Sequence, residues 1–562
     1  MTALLTDNLP LLAGAPNGIK KLRELILELA VRGKLVPQNP NDEPASELLK
    51  RIAAEKKGLS PKVKKSSDTP MGAVAFELPE SWCWASFGDI AQHNSGKTLD
   101  KGKNSGVPRN YITTSNLYWG RFDLASVRQM LFEEKHLARC TAIKNDLLIC
   151  EGGEAGRAAV WDQESEICFQ NHVHRARFFG EINPYYAQRY FERLNYSGEI
   201  AEYRKGVGIS NMSSKALASI PMPVPPLAEQ HRIVAKVDEL MALCDRLEAQ
   251  QADAESAHAQ LVQALLGSLT QAADAKDFAA NWQRLAEHFH TLFTTESSID
   301  ALKQTVLQLA VMGKLVPQDP SDEHASELLK RIAEEKVRLV AEGKLKKQKI
   351  LSGIGEEERA FELPQGWQWV RKAEVFSFLN GYAFKSEWFR PEGIRLLRNV
   401  NVSHGVINWK ETACISEEQA AEFQGFALDE NDVVLTLDRP IISTGLKYAV
   451  IRSADLPCLL LQRVAKIAPY AGAVTVSYLS AWLNSRFFID SIDPGRSNGV
   501  PHISTNQVAS MPFALPPLAE QHRIVAKVDH LMALCDQLKT RLTQARQLNE
   551  QLATALVEQA VA

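Results

Sequence analysis

The chain has 562 residues, 45% hydrophobic and 23% charged, with a formal net charge of −3. At roughly one domain per ~150 residues it holds three or four units with sizeable cores. No apolar run approaches the ~20 residues that cross a bilayer, and the opening MTALLTDNLPLLAGAPNG lacks the basic start and long apolar stretch of a signal peptide, so a cytoplasmic protein is expected. None of the eight cysteines forms a Cys-x-x-Cys pair, which excludes zinc-ribbon spacing and leaves reduced structural thiols. The near-neutral charge argues only weakly against a nucleic-acid partner, which needs local basic patches rather than a global excess.

In chain order, residues 1–75 hold an apolar helical run from Leu22 to Val31 that stops at Gly33. The segment GKLVPQ, a helical SELLKRI and a basic stretch from Lys56, predicted to be a mobile linker, follow. Residues 76–222 mix short β-rich runs (DLLIC, AAVW), turns such as Gly120 and an amphipathic helix from Pro184, which predicts an α/β or α+β globule. Residues 223–360 begin with Pro225-Pro226, suited to a helix start. Ile233, Val237, Leu240, Cys244 and Leu247 then alternate by four and three, continuing through Ala254, Leu261 and Leu265 as a heptad seam. Such a helix of about 40 residues is a rod of roughly 55–60 Å. The same region carries a second apolar run, Leu302 to Val311, ending at Gly313, and a second basic linker from Glu342. Residues 361–514 form another globule, with DVVLTL, Gly405 and a helix from Val476. Residues 515–562 return to Pro516-Pro517 and a seam of Ile524, Val528, Leu531, Cys535 and Leu538, extended by Leu542, Ala545, Leu552 and Leu556.

This order is an internal duplication. Leu22–Lys56 recurs at Leu302–Lys336, and Pro225–Leu247 recurs at Pro516–Leu538 with only two differences. The globules are related faintly, through Phe76-Glu-Leu-Pro with Trp82 and Trp84 against Phe361-Glu-Leu-Pro with Trp367 and Trp369. Near-identical arms with divergent inserts describe a pseudo-twofold scaffold carrying two different modules. The narrow seams need covering, and the Leu22–Val31 and Leu302–Val311 runs can supply it.

Pro-Pro-Leu-Ala-Glu-Gln-His-Arg-Ile-Val, present twice after two unlike inserts, resembles the specificity subunits of type I restriction–modification systems, and GKLVPQ with SELLKRI is similar to one subfamily of them. The resemblance runs from about residue 20 to the end. It implies an α+β fold: two globular target-recognition domains separated by two long antiparallel coiled-coil helices. Each domain would read half of a bipartite asymmetric site on double-stranded DNA, with the helices setting the gap. It further implies docking of two modification subunits that use S-adenosylmethionine to methylate adenine at N6. Restriction subunits would bring ATP and Mg, with no cofactor bound by this chain.

Catalytic patterns are missing from the sequence. There is no Asn/Asp-Pro-Pro-aromatic tetrapeptide, and Gly96-Lys97-Thr98 lacks the glycine at position 91 that a phosphate loop needs. His172 and His174 lack further metal ligands, EGGEAGRAA from Glu151 is expected to be a turn, and Glu229 and Glu520 are expected to cap their helices. A non-catalytic subunit is therefore expected. DNA contacts are expected from loop residues with base- or phosphate-seeking groups. In the first insert these are Lys97, Lys101, Lys103, Asn104, Arg109, Arg204, Lys205, Ser210 and Asn211. In the second they are Tyr382, Lys385, Arg398, Asn399, Arg496, Asn498 and His502. The alternative is a scaffold whose paired domains bind proteins or glycans; the unlike inserts on matched arms speak against it.

Overall fold

The computed structural model describes residues 11–59, 74, 76–98, 100, 102, 104–205, 210–273, 275–343, 351–492 and 502–561. Two compact units emerge: Met1–Glu255 with Ala545–Ala562, and Ser256–Gln544. The principal helices are α1 Gly18–Val31, α2 Ala45–Leu59, α3 Pro184–Tyr196, α4 Leu227–Thr270, α5 Ala275–Glu287, α6 Glu296–Val311, α7 Ala325–Ala341, α8 Val476–Asn484 and α9 Leu518–Val561. The long helices α4 and α9 each have 44 residues and begin directly after the proline pairs, so each rises roughly 65 Å.

Contacts to α1 fix the helix directions within the first unit. Arg23, early in α1, donates to Asp245 at 2.6 Å and Glu248 at 3.0 Å, whereas Gln38, beyond its end, donates to Glu229 at the start of α4 at 2.5 Å. Thus α4 runs against α1. Lys21 donates to Thr554 at 2.8 Å, and Leu25 and Leu29 pack with Val557 and Ala560, so the end of α9 runs along α1. Helices α4 and α9 are therefore antiparallel here. The second unit repeats the arrangement with the roles exchanged: α6 meets α9 through Asp300–Lys539 at 2.6 Å and Gln318–Glu520 at 2.7 Å, while Lys314 donates to the carbonyl of Thr270 at the end of α4 at 2.9 Å.

The seam is partly as expected. Ile233, Val237 and Cys244 are buried among α1 side chains, Ile524, Val528 and Cys535 among those of α6, and Leu240, Leu247, Leu531 and Leu538 are half-buried against the same cores. Burying each such aliphatic side chain contributes ~1.5–3 kcal/mol. The later positions depart from the heptad. Ala254 and Leu261 are exposed (Leu261 by 53%), and the buried residues are Val262, Leu266 and Leu269. In α9, Ala545 and Leu552 are exposed while Ala553 and Ala560 are buried. An α-helix advances 3.6 residues per turn, so a 3.5-residue pattern drifts by ~20° per heptad and the covered stripe moves to the next residue.

The linkers also differ from expectation. Lys56 lies within α2 and donates to the carbonyls of Gly88 and Asp89. Near the other linker's end, Arg371 donates to the Ser352 and Gly353 carbonyls and pairs with Glu358 at 2.6 Å. The middle of each linker lies outside the described residues.

Each insert is tied off by an antiparallel ribbon of its first and last strands: Cys83–Ser86 with Pro221–Val224, and Gln368–Arg371 with Pro512–Leu515. In the first insert an antiparallel sheet runs Ala158–Val160, Leu147–Cys150, Val173–Phe178, Ala91–Ser95. The second insert has the same order in Tyr448–Val450, Val433–Thr436, Val464–Pro469, Phe376–Asn380. A second sheet in each contains one parallel pair, Val107–Ile112 with Ile167–Phe169 and Ile394–Leu397 with Cys458–Leu460. The run DLLIC is continuously apolar because its strand is covered on both faces: Leu147 and Ile149 enter one core, Leu148 and Cys150 another. Val433 and Leu435 against Val434 repeat the division.

Candidate nucleic-acid interface

The duplicated motif holds three segments together. Glu229 accepts from the Trp82 indole at 3.0 Å and from Gln38 of GKLVPQ at 2.5 Å; Glu520 accepts from Trp367 at 2.8 Å and Gln318 at 2.7 Å. Gln230 accepts from the Asn183 backbone N–H at the start of α3 at 2.9 Å, and Gln521 from that of Thr475 at the start of α8 at 2.8 Å. Arg232 pairs with Asp42 at 2.6 Å and Arg523 with Asp322 at 2.5 Å. The expected capping role of Glu229 and Glu520 is thereby corrected: their carboxylates are spent on an indole and an amide. Burial pushes both carboxyls above the usual range despite those donors. Long helix, arm and insert are thus joined at one buried clasp, so the orientation of each insert follows from the start of its helix.

At one edge of the first insert, the Glu151–Arg157 loop meets Arg204, Lys205, Ser210 and Asn211. Gly152–Gly153 pairs as a short strand with Ser210–Asn211, Lys205 exchanges backbone hydrogen bonds with Asn211 (2.8 and 2.9 Å), and Met212 donates to the Glu151 carbonyl at 2.8 Å. The expected turn forms at Glu154–Arg157, where the Arg157 N–H donates to the Glu154 carbonyl at 3.2 Å, while Gly152–Gly153 ahead of it is half of a small ribbon. Lys97 joins this edge: its carbonyl accepts from Asn171, beside His172, whose carbonyl accepts from Glu151. Buried His174 lies 3.0 Å from the Met212 carbonyl through Nε2, and desolvation lowers its pKa.

Other candidates have side chains engaged within the insert. Arg204 donates to the Ala155 carbonyl at 2.7 Å and to Asn195 at 3.3 Å, and burial lowers its pKa. Arg109 pairs with Glu166 at 3.1 Å on the other sheet, and Asn104 donates to the Thr98 carbonyl at 3.5 Å. Lys101 and Lys103 lie outside the described residues.

In the second insert the corresponding edge joins residues 437–447 to His502. His502 lies 2.5 Å from Asp438, and Ile503 donates to the Leu437 carbonyl at 2.9 Å, the counterpart of Met212 on Glu151. Asn399 donates to the Asp438 carbonyl at 2.8 Å, and Lys447 donates to the Asn399 carbonyl at 2.8 Å. Arg463, absent from the sequence-derived candidates, pairs with Asp438 at 2.5 Å. So are Arg439, Lys447 and the hairpin after Arg439; the signal was available in Asp438-Arg439-Pro440 followed by Ser443-Thr444-Gly445, two turn formers flanking a dipeptide. Arg398 donates to the Glu411 carbonyl, Tyr382 packs among Phe384, Phe423 and Phe426, and exposed Lys385 stands over Trp388. Arg496 and Asn498 lie outside the described residues. Among the described residues no group of three or more His, Cys, Asp or Glu could hold a metal ion, and no helix is long and apolar enough to cross a membrane.

Residues 79–255 and 364–546 match the family described as type I restriction modification DNA specificity domain. Each match begins at the proline ahead of the clasp tryptophan and ends well into a long helix. The chain belongs to the type I restriction–modification specificity family. The specificity subunit of the type I restriction enzyme EcoAI from Escherichia coli is 49% identical over 97% of this chain and 94% of its own length. That of EcoEI, also from E. coli, is 36% identical over the same shares. A solved chain from a type I restriction–modification system, 17% identical, covers 87% of this chain and 99% of that one with a TM-score of 0.49. In this chain the clasp accounts for the helix-start motif: its Glu, Gln and Arg have partners in other segments in both copies, and His231 of the first copy lies 3.1 Å from the Asn183 amide through Nδ1.

Proposed function

We propose that this chain is the sequence-reading subunit of a type I restriction–modification complex. Its first insert, residues 76–222, and its second, residues 361–514, each read one half of a bipartite asymmetric site in double-stranded DNA. The arms, residues 1–75, 223–360 and 515–562, hold the two readers and dock modification subunits. The observation that carries this is the duplicated clasp: the same Trp–Glu–Gln contacts join each arm to its insert, while the loops at residues 151–157 and 437–447 of the inserts differ. A rigid mount with interchangeable loops is what reading two unlike half-sites at a constant spacing requires.

In this proposal the chain performs no chemistry and binds no cofactor. S-adenosylmethionine belongs to the modification subunits, ATP and Mg to restriction subunits, and the complex works in the cytoplasm. Lys205, Asn211, Asn399 and His502, along the edges where these loops meet, are the contact candidates we favour, with Ser210 and Lys97, whose ammonium stands 6.0 Å over the Phe132 ring, after them. Lys101 and Lys103 remain candidates for phosphate contacts; replacing both with alanine should weaken binding and flatten its salt dependence. The test is to co-express the chain with its modification partner and map methylated adenines in the host DNA. A single two-part motif with a constant gap is expected, and the chain alone should transfer no label from S-adenosylmethionine. A contiguous motif, or transfer by the isolated chain, would overturn the proposal.

A further inference from the structure

The two inserts differ most at one loop. Between strands Leu147–Cys150 and Ala158–Val160 the first insert has residues 151–157, whose Glu154 is held by the Trp119 indole at 2.9 Å and by Arg157 at 3.1 Å. At the equivalent place the second insert has residues 437–447, long enough to fold into a hairpin of its own, Ile441–Ile442 against Gly445–Leu446. Ile441 and Ile442 are 38% and 36% exposed, and Ser443 and Thr444 beside them are exposed as well.

The base of this hairpin is fixed. Pro440 and Leu446 are buried, and Lys447 donates to the Pro440 carbonyl at 2.6 Å. The His404 ring stands against Gly445, where φ is +124° and a Cβ would come within 2.7 Å of Nδ1. Asp438 is held by His502 and Arg463. The hairpin is therefore a braced projection with two isoleucines on it.

Its surroundings select the partner. Exposed Arg439 precedes the two isoleucines, and Lys447 and Arg463 stand at the base. A hairpin strand of two part-exposed isoleucines with cations at its start and base matches a polyanion that displays apolar groups between its charged ridges. Duplex DNA does so in the major groove, where the thymine 5-methyl is the one apolar feature on a base edge. We infer that Ile441 and Ile442 read thymine methyl groups in the half-site of the second insert, with Arg439 reaching the flanking phosphates. The inference rests on the DNA-reading function proposed above and gives the hairpin its chemical target. The first insert, with a short acidic loop at this position, has no such probe.

The test uses the chain assembled with its modification partner and the motif mapped above. Thymines of each half-site are replaced one at a time by deoxyuridine, which keeps every hydrogen-bonding group and removes only the methyl. One or two replacements, confined to one half-site, should weaken binding about four-fold each. The double variant Ile441→Ser with Ile442→Ser should bind thymine and uracil duplexes alike, and Ile441→Leu with Ile442→Leu should retain the preference. The inference is overturned if the serine variant discriminates as the parent does, or if the parent ignores uracil throughout both half-sites while still binding its motif. Loss of motif-specific binding by the parent itself would instead remove the underlying function.

Discussion

The two arms and the two inserts have treated duplication in opposite ways. At the clasps of the arms, contacts are preserved atom for atom: Trp82, Gln38 and Glu229 do what Trp367, Gln318 and Glu520 do, with hydrogen-bond lengths differing by at most a few tenths of an ångström. In the inserts the strand order is preserved but the interior and the edge loops are not. Phe87, packed edge-on against Phe178 and Phe191, is replaced at the matching point by Lys372. Where insert meets arm, the network of buried Arg193 with Glu28, Arg32 and Glu199 has no ionic counterpart, because the second copy has Ser485, Gln308 and Met312 in place of Arg193, Glu28 and Arg32. The lesson is that constancy follows the clasp, where position matters, and divergence follows the surfaces and cores that position then carries.

The sharpest way to break this comparison is at the clasp. Trp82→Ala and Trp367→Ala should each cost about 3–5 kcal/mol, through lost packing and an unpaired buried carboxylate. The two losses should match within ~1 kcal/mol, as measured by denaturant unfolding followed in each unit by hydrogen exchange. Unequal losses would show that the two clasps are not equivalent.

Arg193→Ala should cost about 3 kcal/mol, and only in the first unit, since it leaves Glu28 with Arg32 alone and takes the partner of Glu199. Burial pushes the Glu28 carboxyl up, but Arg193 and Arg32 pull it further down, so its pKa is lowered on folding. Its contribution is therefore present above the ordinary carboxylate pKa and is lost as pH falls through the lower folded value. Acid titration of unfolding in the parent and in Arg193→Ala reads this directly.

Lys372 gives the opposite sign. It is only 2% exposed, donates to the Pro512 carbonyl at 3.1 Å, and burial lowers its pKa to about 7. The folded state disfavours its charged form, so the penalty is full below pH ~7 and fades as pH rises toward the unfolded value near 10.5. Lys372→Met should stabilise the second unit by ~1–3 kcal/mol at pH 7, with the gain shrinking toward pH 10. A gain that is flat with pH would mean the lysine keeps its charge and its ordinary pKa in the fold.

The smallest effects concern Gly33 and Gly313, at φ +69° and +70°, where a Cβ would come within 2.6 and 2.5 Å of Pro79 and Pro364. Gly33→Ala and Gly313→Ala should each cost ~1–2 kcal/mol, again as a matched pair.

The arms were legible in the sequence because helical periodicity, proline starts and glycine stops are local signals. The apolar runs at Leu22–Val31 and Leu302–Val311 and both long helices fall where the pattern puts them. The seam failed past Leu247 because a heptad template ignores the drift of a straight helix, and the clasp escaped notice because a carboxylate in a first turn looks like a cap until its distant partners are known. In the inserts, strand runs such as DLLIC were visible, but pairing between segments many residues apart leaves no local mark. The contact candidates divide for the same reason. Arg204, Arg398 and Arg109 have the right chemistry for DNA, yet guanidinium groups serve equally well in tying loops to carbonyls or carboxylates. The Ile441–Leu446 hairpin carries the wrong composition for a search tuned to polar side chains.

Equivalent mounts carrying two different readers can be tested by replacing residues 361–514 with residues 76–222, so that both mounts carry the first reader, and mapping adenine methylation by the complex formed with the modification partner. The asymmetric motif should become an inverted repeat of the half read by the first insert, with the gap unchanged within about one base pair. An active complex that keeps the parental motif, or one whose gap changes with the reader, would contradict it.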